Sequence, residues 1–359
     1  MSRQNSQRPT MRDVADAAGV SVMTVSRVVN GNPAVSPDAV AAVHQAIAQL
    51  GYHPNRAATD LRRAGAPTRT FGVILDDVSN SFMSNLHRGI EETGWMERTM
   101  ILAGSSERDP ARERELVNAF IARRVDGLII VPSTADHKYL RTEMNRGLRV
   151  VYVGSAPSGM AADVVTSDYA SAIERAVAYL AKRGHRNIAF LGHNLQIGTA
   201  RARFDGYISG LAKAQIALNS GLIRHDLISA GAAYQAAREV LSGPDAATAI
   251  IAAQNTVTTG AIERLQDTGL QDEIALIGFG EFPLGKYIQP SLTYISQDAR
   301  QIGSIAARRL MESLADGSRK PRTSVVPTQF IVGNSGDILP RDLRNVDYIP
   351  DALEPTRSH

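Results

Sequence analysis

The sequence predicts an all-α helix-turn-helix headpiece followed by a larger α/β domain made of two doubly wound subdomains. The chain has 359 residues, more than a single hydrophobic core normally serves, so we expect two or three domains. Short amphipathic helical patterns with capping residues fill the first fifty residues. Beyond residue 70, apolar β-branched runs alternate with amphipathic segments, as in parallel sheets that helices cover on both faces.

Composition excludes several classes of protein. The chain has no cysteine, which excludes disulfide scaffolds, cysteine-based zinc sites and thiol nucleophiles, and favours a reducing compartment. Its apolar runs are far shorter than the roughly 20 residues of a membrane span. The N-terminus lacks the apolar stretch of a secretory signal. We therefore expect a cytoplasmic protein with no membrane partner.

Charge is distributed unevenly along the chain. Residues 1–69 carry eight Arg and no Lys against four Asp and no Glu, which gives +4, whereas the whole chain carries +3. The remaining residues therefore carry −1. A basic small domain on a near-neutral large one indicates a polyanionic partner for the first domain. A basic segment that merely aids solubility is the alternative.

Two helices joined by a short turn are predicted near the N-terminus. The segment from Thr10 to Asp13 has the form of a capping box, and Gly19 can adopt the left-handed conformation that ends a helix. Ser21 then caps a second helix after a turn of about three residues, which is helix-turn-helix spacing. The inward stripe of the first helix consists of Met11, Val14, Ala15 and Ala18.

The second helix, within SVMTVSRVVNG (residues 21–31), carries two stripes of different character. The stripe predicted to pack on the first helix consists of Val25, Val28 and Val29. The stripe predicted to point away consists of Val22, Met23, Ser26, Arg27 and Asn30. An arginine can fork onto guanine edges and hydroxyls can bind phosphates, so the outer stripe is predicted to face DNA. A solvated helix face is the alternative.

A third helix is predicted from Ser36-Pro37 to Gly51, because serine caps a helix and proline suits its first position. Its inward residues are predicted to be Val40, Val43, Ile47 and Leu50. Further along, Leu61 lies between arginines with no local core to bury it, which suits a wedge into the minor groove. A plain interdomain linker is the alternative, since Gly65-Ala-Pro67 follows.

The first sixty residues resemble the DNA-binding headpiece and hinge of the LacI/GalR family of bacterial transcription regulators, through DVADAAGVSVMTVSRVVNG, VSPDAVAAV and LGYHPNRAATDL. The resemblance implies a headpiece over 1–51 and a hinge helix with linker over 52–69. It also implies that Val22, Met23 and Arg27 read major-groove bases. The DNA-binding residues expected on this basis are Thr10, Ser21, Val22, Met23, Thr24, Ser26, Arg27, Asn30, Tyr52, Asn55, Arg56 and Leu61.

Eight strands are predicted in the rest of the chain, with amphipathic helices such as Leu86–Trp95, Glu113–Arg123 and Ala172–Lys182 between them. The strands are Phe71–Leu75, Met100–Ala103, Leu128–Val131, Val150–Val153, Ile188–Leu191, Ala249–Ala252, Ile274–Ile277 and Leu292–Ile295. Repeated β-α units indicate doubly wound sheets, and eight strands over this length fit two subdomains better than one sheet. Ligands in such sheets bind at the carboxyl ends of the strands.

The LacI/GalR resemblance continues to about residue 340. It implies a periplasmic-binding-protein-like effector-binding and dimerisation domain over 70–342, with the effector between two subdomains, and a tail over 343–359. The effector-binding residues expected on this basis are Asn80, Phe82, Thr199, Arg203, Asn255, Gly280, Glu281 and Gln297. For Phe82 the alternative is ordinary packing, and for Arg203 it is a surface salt bridge.

The segment Gly278-Phe-Gly280-Glu281 bears on the nature of the effector. Many sugar-binding relatives carry an aspartate where Gly280 stands. With no carboxylate there to neutralise the cleft arginine, electrostatic complementarity favours an acidic effector. The segment also resembles the gluconate-type branch of the family, so we expect gluconate or a ketogluconate. A neutral sugar or a nucleoside is the alternative.

Other classes of protein are poorly supported. An enzyme is not expected, because no glycine-rich dinucleotide loop follows the first strand and Gly333-Asn-Ser335-Gly lies in a loop near the C-terminus. No cofactor and no metal are expected, since His185 and His193 are poorly spaced as ligands. A solute-binding protein shares the fold but not the headpiece. We expect a homodimer on a pseudopalindromic operator, with effector and DNA binding reciprocally coupled.

Overall fold

Three short helices at the N-terminus share one small core. The structure, a computed structural model, describes residues 9–29, 32–52 and 67–343. The helices are α1 (Met11–Ala18), α2 (Val22–Val29) and α3 (Pro37–Leu50). Their buried core consists of Val14, Ala15, Val25, Val28, Val43, Ala46 and Tyr52. Among the described residues this unit lies within Met1–Thr68, and a second, larger unit lies within Arg69–His359.

The ends of these helices are set by the residues that the sequence indicated. Thr10 and Asp13 form a reciprocal capping box at the start of α1, and Ser36 accepts a hydrogen bond from the backbone of Ala39 at the start of α3. Gly19 and Gly51 end α1 and α3 with φ values of 65° and 60°.

One predicted core position in α3 was wrong. Leu50 is 36% exposed, and Ala46 is buried instead. Leu50 is the last residue of α3, and beyond it the core is completed by the buried Tyr52, whose N–H donates to the carbonyl of Ile47.

The larger unit contains two six-stranded sheets, in the orders β11-β5-β4-β3-β1-β2 and β12-β10-β9-β8-β6-β7. Every pair of neighbours is parallel except β10 and β12. The strands are β1 (Thr70–Leu75), β2 (Met100–Ser105), β3 (Gly127–Ile130), β4 (Arg149–Val153), β5 (Asp163–Ser167), β6 (Ile188–Leu191), β7 (Ile223–Arg224), β8 (Ala249–Ala252), β9 (Ala275–Phe279), β10 (Thr293–Ser296), β11 (Thr323–Val326) and β12 (Gln329–Ile331).

Helices cover both faces of each sheet, which explains the continuous apolar character of the inner strands. The helices are α4 (Ser81–Met96), α5 (Pro110–Ala122), α6 (Arg141–Asn145), α7 (Tyr169–Lys182), α8 (Gly198–Lys213), α9 (Ala230–Val240), α10 (Asn255–Asp267) and α11 (Ala299–Ala315). Each sheet has two buried clusters, one on each face. The predicted fold class is thereby confirmed: a helical unit is followed in the chain by a unit with two mostly parallel sheets. The exact domain boundaries drawn from the sequence stay a prediction.

The chain passes between the two sheets at three places, and these crossovers contact one another. They lie between β5 and α7, between β10 and α11, and between β11 and β12. Gln297, in the second crossover, donates to the Ser167 hydroxyl of the first at 3.0 Å. The backbone N–H of Thr328, in the third, donates to the Asp168 carboxylate at 2.7 Å. Hydrogen bonds therefore join the connections that hold one sheet against the other.

Within the described ranges, no helix is long and apolar enough to cross a membrane. Across the same residues, no group of three or more His, Asp or Glu side chains is placed to hold a metal ion.

Candidate nucleic-acid interface and ligand cleft

The outer face of α2 is exposed, as its sequence pattern predicts. Met23 is 65% and Val22 43% exposed, and Arg27 is also exposed. On the opposite face Val25 and Val28 are buried in the headpiece core. Apolar side chains left in water beside an arginine can contact thymine methyl groups while the arginine forks onto guanine. The structure therefore presents Val22, Met23 and Arg27 on one surface.

Several other residues expected to bind DNA hold the headpiece together. The Ser21 hydroxyl accepts a hydrogen bond from the backbone N–H of Thr24 at 3.1 Å and lies 2.9 Å from its hydroxyl, so this pair starts α2. Thr10 donates twice to the Asp13 carboxylate, which lowers the pKa of Asp13. Tyr52 lies in the core, and burial raises its pKa.

Of the remaining residues expected to bind DNA, the structure describes one and leaves four outside the described ranges. Ser26, on α2, is partly buried. The expected DNA contacts of four residues lie outside the described residues: Asn30, Asn55, Arg56 and Leu61.

A cleft opens between the carboxyl ends of the two sheets. It holds about 850 Å³ of space, counting the solvent at its open mouth. Seven of the eight expected effector-binding residues line it: Asn80, Phe82, Thr199, Arg203, Asn255, Gly280 and Gln297. Most of these residues lie in the segments that follow β1, β6, β8 and β9, either in a loop or in the first two turns of the next helix, as the sheet topology predicts.

Glu281 does not line this cleft, although it was expected to. Its carboxylate accepts a hydrogen bond from the Asn85 side chain of α4 at 2.7 Å. Burial raises the pKa of Glu281, and the negative charge of Asp298 adds to the effect. Glu281 therefore joins the two sheets beside the cleft.

Arg203 is the central charged group of the cleft. Its guanidinium carbon lies 4.5 Å from the ring centre of Tyr169 and 4.2 Å from that of Phe279. Its Nε is buried without a hydrogen-bond partner, and burial lowers the pKa of the group. The expected alternative, a surface salt bridge, holds for Arg201, which pairs with Asp205 at 2.9 Å. None of the salt bridges between described residues involves Arg203.

Sequence reasoning missed a second arginine in the cleft. Arg108 lines it and pairs with Asp76 at 2.8 Å. Arg108 and the preceding Glu107 both have left-handed backbone conformations, with φ of 62° and 52°. The backbone N–H of Glu107 donates to the carbonyl of Asp76, so this turn is fixed against the end of β1. Periodicity carries no signal for such a turn.

Sequence reasoning also missed His193, which was weighed only as a metal ligand. It lines the cleft and is 9% exposed. Its Nδ1 accepts a hydrogen bond from the backbone N–H of Asn194 at 2.7 Å, and its Nε2 is buried with no partner. Burial lowers the pKa of His193, and the positive charge of Arg108 lowers it further. Its place two residues after β6, at the carboxyl edge of the sheet, is the signal that could have found it.

Two asparagines join the sheets across the cleft. The Asn80 side chain donates to the Asn255 amide oxygen at 3.2 Å, and Asn255 donates back at 3.1 Å. Asn80 follows β1 in the first sheet, and Asn255 opens α10 after β8 in the second. Their amides can also bind hydroxyl groups, since each has donors and an acceptor.

Gly280 has a backbone reason to be glycine. Its φ is +123°, a conformation that side chains rarely adopt, and a Cβ would lie 2.7 Å from the Cβ of Asn255. The sequence-based argument ascribed this glycine to effector charge alone, and the backbone now supplies a second cause. The cleft still has no carboxylate at this position.

Two helices begin at the cleft, and in the second of them, α10, the Asn255 side chain accepts the backbone N–H of Thr256 at 2.8 Å. The residues that precede α8 and α10, Ile197 and Gln254, make no capping hydrogen bond and both line the cleft. Helix N-termini carry partial positive charge and unsatisfied N–H groups, so they favour anions. Together with Arg203, these helix starts add positive potential at the cleft.

Comparison with known proteins agrees with this architecture. Residues 10–55 match the family described as bacterial regulatory proteins, lacI family, and residues 177–336 match the periplasmic binding protein-like domain. The chain is 33% identical to catabolite control protein A of Priestia megaterium over 84% of this chain and 91% of that protein. It is 30% identical to the HTH-type transcriptional regulator GalR of Escherichia coli K12, over 90% and 94%.

A solved structure is also similar over almost its whole length. The crystal structure of the lac repressor dimer bound to operator and the anti-inducer ONPF matches with a TM-score of 0.82 and 25% identity. The match covers 92% of this chain and 99% of that one.

Proposed function

The chain belongs to the lacI family of bacterial regulatory proteins, and we propose that it is a repressor of sugar-acid metabolism whose cleft binds gluconate or a ketogluconate. It is a DNA-binding transcriptional regulator whose partners are operator DNA, a small-molecule effector and a second copy of itself. Regulation of transcription, rather than catalysis, is its function, and it acts where the DNA is, in the cytoplasm.

The observation that carries the sugar-acid proposal is the burial of the Arg203 guanidinium without a salt-bridge partner among the described residues. Burying a guanidinium that packs against two aromatic rings, with its Nε left unpaired, costs free energy. A carboxylate that accepts its hydrogen bonds relieves this cost and forms a charge-assisted pair. A neutral hydroxyl would satisfy the donor but not the charge.

The other charges around the cleft support the same choice. Asp76 is paired with Arg108, so neither leaves a strong uncompensated charge. The N-termini of α8 and α10, which begin at the cleft, add positive potential. The amides of Asn80, Asn255 and Gln297 suit the hydroxyl groups of a polyhydroxy acid. These amides would serve a neutral sugar or a nucleoside equally well, which is why those ligands remain the alternative.

The proposed mechanism is ligand-linked DNA binding. An effector that closes the cleft changes the relation between the two sheets, and thereby the spacing of the hinges in the dimer. Because binding at the two sites is linked, effector and operator change each other's affinity by the same factor.

Calorimetric titration tests the effector class directly. We expect the wild-type protein to bind D-gluconate or 2-ketogluconate more tightly than D-glucose. Arg203→Met should weaken binding of the acid roughly tenfold to a hundredfold, since hydrogen bonds to charged groups contribute about 1.5–3 kcal/mol. Arg201→Met, two residues away on the same helix, is the matched control and should bind as the wild type does. Tighter binding of glucose than of either acid would overturn the proposal.

A further inference from the structure

His193 is a polar group in the cleft that the proposed function does not yet use. It is nine-tenths buried, it lines the cleft, and its Nε2 has no partner in the structure. A buried polar nitrogen without a partner costs free energy, so its persistence in a binding cleft calls for a ligand atom.

The tautomer of His193 follows from its one hydrogen bond. The backbone N–H of Asn194 can only donate, so Nδ1 of His193 must present its lone pair. In the neutral ring the proton then lies on Nε2, which makes that atom a donor. The charged groups that act on the ring are Arg108, Asp76, Arg203 and Asp226, and burial with the two arginines outweighs the acids in keeping it neutral.

We propose that His193 is a specificity-determining residue that donates its Nε2 proton to an uncharged oxygen, a hydroxyl or a carbonyl, of the effector whose carboxylate binds Arg203. The effector carboxylate that binds Arg203 rests on the proposed function, whereas the hydrogen bond donated by His193 does not depend on it. Arg203 already supplies positive charge to the cleft, whereas a neutral imidazole supplies a directed hydrogen bond without charge. The effector class therefore narrows to hydroxy and keto acids, because an acid with no further oxygen would leave Nε2 unpaired.

The tautomer is tested without any ligand. The full chain is labelled with [¹⁵N]histidine, and two-bond ¹H–¹⁵N correlations are recorded at pH 7.5, with His193 assigned by loss of its signals in His193→Gln. We expect the neutral ring protonated at Nε2. A ring protonated at Nδ1, or a doubly protonated ring, would overturn the inference.

The contact itself is tested by titrating His193→Leu and His193→Gln with D-gluconate, 2-ketogluconate, D-glucose and D-galactose. Leucine fills similar space without a donor, whereas the glutamine amide can place an N–H near the position of Nε2. For the compound that the wild type binds, we expect leucine to weaken binding roughly tenfold and glutamine to restore most of the affinity. Unaltered melting temperatures would show that both variants fold.

The outcomes separate the two proposals. If the wild type binds only a neutral sugar and leucine weakens that binding, the sugar-acid proposal fails while His193 remains a donor. If leucine binds as tightly as the wild type, the inference on His193 is wrong whatever the effector. If none of the four compounds binds, the ring tautomer alone tests the inference. A proton on Nε2 supports it, and a proton on Nδ1 overturns it.

Discussion

Glu113 is a fully buried acid of α5 whose carboxylate serves three donors. Its Oε2 accepts the backbone N–H of Ser133 at 2.6 Å. Its Oε1 lies 2.7 Å from Nε2 of His137, which is also fully buried, and accepts the Tyr139 hydroxyl at 3.2 Å. Burial raises the pKa of Tyr139, and the charge of Glu113 adds to it. The loop that follows β3, part of which lines the cleft, is thus tied to α5 through one side chain.

Glu113→Ala should destabilise the protein by about 3–5 kcal/mol, because removing one member of a buried pair leaves its partners unsatisfied. Urea unfolding measures the effect. Glu115→Ala, an exposed change on the same helix, is the control and should alter stability by less than about 0.5 kcal/mol. Equal stabilities of the two variants would show that the buried network contributes no more than a surface residue does.

For single residues, the sequence predicts which chemical groups lie in the cleft better than it predicts which atoms those groups contact. It identified Arg203 as a cleft arginine only through a family resemblance, since Arg201 and Arg203 share one helical segment and differ only in which face they occupy. It could not anticipate that His193 binds the backbone of its own neighbour. It explained Gly280 by charge, whereas the backbone conformation there also requires glycine.

Among the secondary-structure elements, α2 is a helix whose sequence predicts both its buried face and its exposed face. Its valines pack and its outer stripe is exposed, as the spacing of apolar residues predicts. The caps at Thr10, Ser21 and Ser36 were also predicted, because capping depends on residues within one turn of each other.

Arg27→Ala should cost about 1–3 kcal/mol at one operator base pair and relax the preference at that position. Selection from a pool of randomised operators, followed by affinity measurements on the selected sequences, gives both quantities. Arg12→Ala removes the same charge from an exposed position of α1, and should change affinity evenly across sequences. If Arg27→Ala keeps the wild-type preference and affinity, the outer stripe of α2 does not read bases.

Seven of the eight predicted strands lie inside a sheet, and the eighth, β2, lies at an edge. All eight predicted strands are present within two residues of the expected ends. The four missed ones are β5, β7, β11 and β12. Three of them lie at sheet edges, where one side of the strand has no partner and continuous apolar character is not required. β5 is interior but ends in polar residues, and its sequence DVVTS has too few apolar residues to show a pattern.

For the whole molecule, the decisive contacts join residues that are far apart in sequence. Gln297 donates to Ser167 and to the Tyr169 hydroxyl, at 3.0 and 3.2 Å, across about 130 positions. No local pattern encodes such a pair, so only the topology, or a relative with the same topology, can place these residues at one site. The sequence could therefore predict two subdomains and a cleft, but not the hydrogen bonds that connect them.

The hydrogen bond between Asn85 and Glu281 joins the two sheets, and the ionisation of Glu281 should make the stability of the protein depend on pH. Burial and the charge of Asp298 raise the pKa of Glu281 in the folded protein. A carboxyl whose folded pKa is raised is destabilising while it is ionised. The free-energy cost of the ionised carboxyl is fully present at pH values above its raised pKa in the folded protein. It disappears as the pH falls to the ordinary glutamate range, near about 4.3.

Glu281→Gln should therefore stabilise the protein at pH 7.5, since the amide oxygen still accepts the Asn85 hydrogen bond and no charge is buried. The gain in the free energy of unfolding, measured in urea, should shrink as pH is lowered toward the ordinary glutamate range, where the wild-type carboxyl becomes neutral as well. Glu91→Gln, an exposed change on α4, is the control and should show no such trend. A variant less stable than the wild type at pH 7.5 would mean that the negative charge of Glu281 attracts the opposite sheet more than its burial costs. The joining of the sheets would then be electrostatic, and protonation would loosen it.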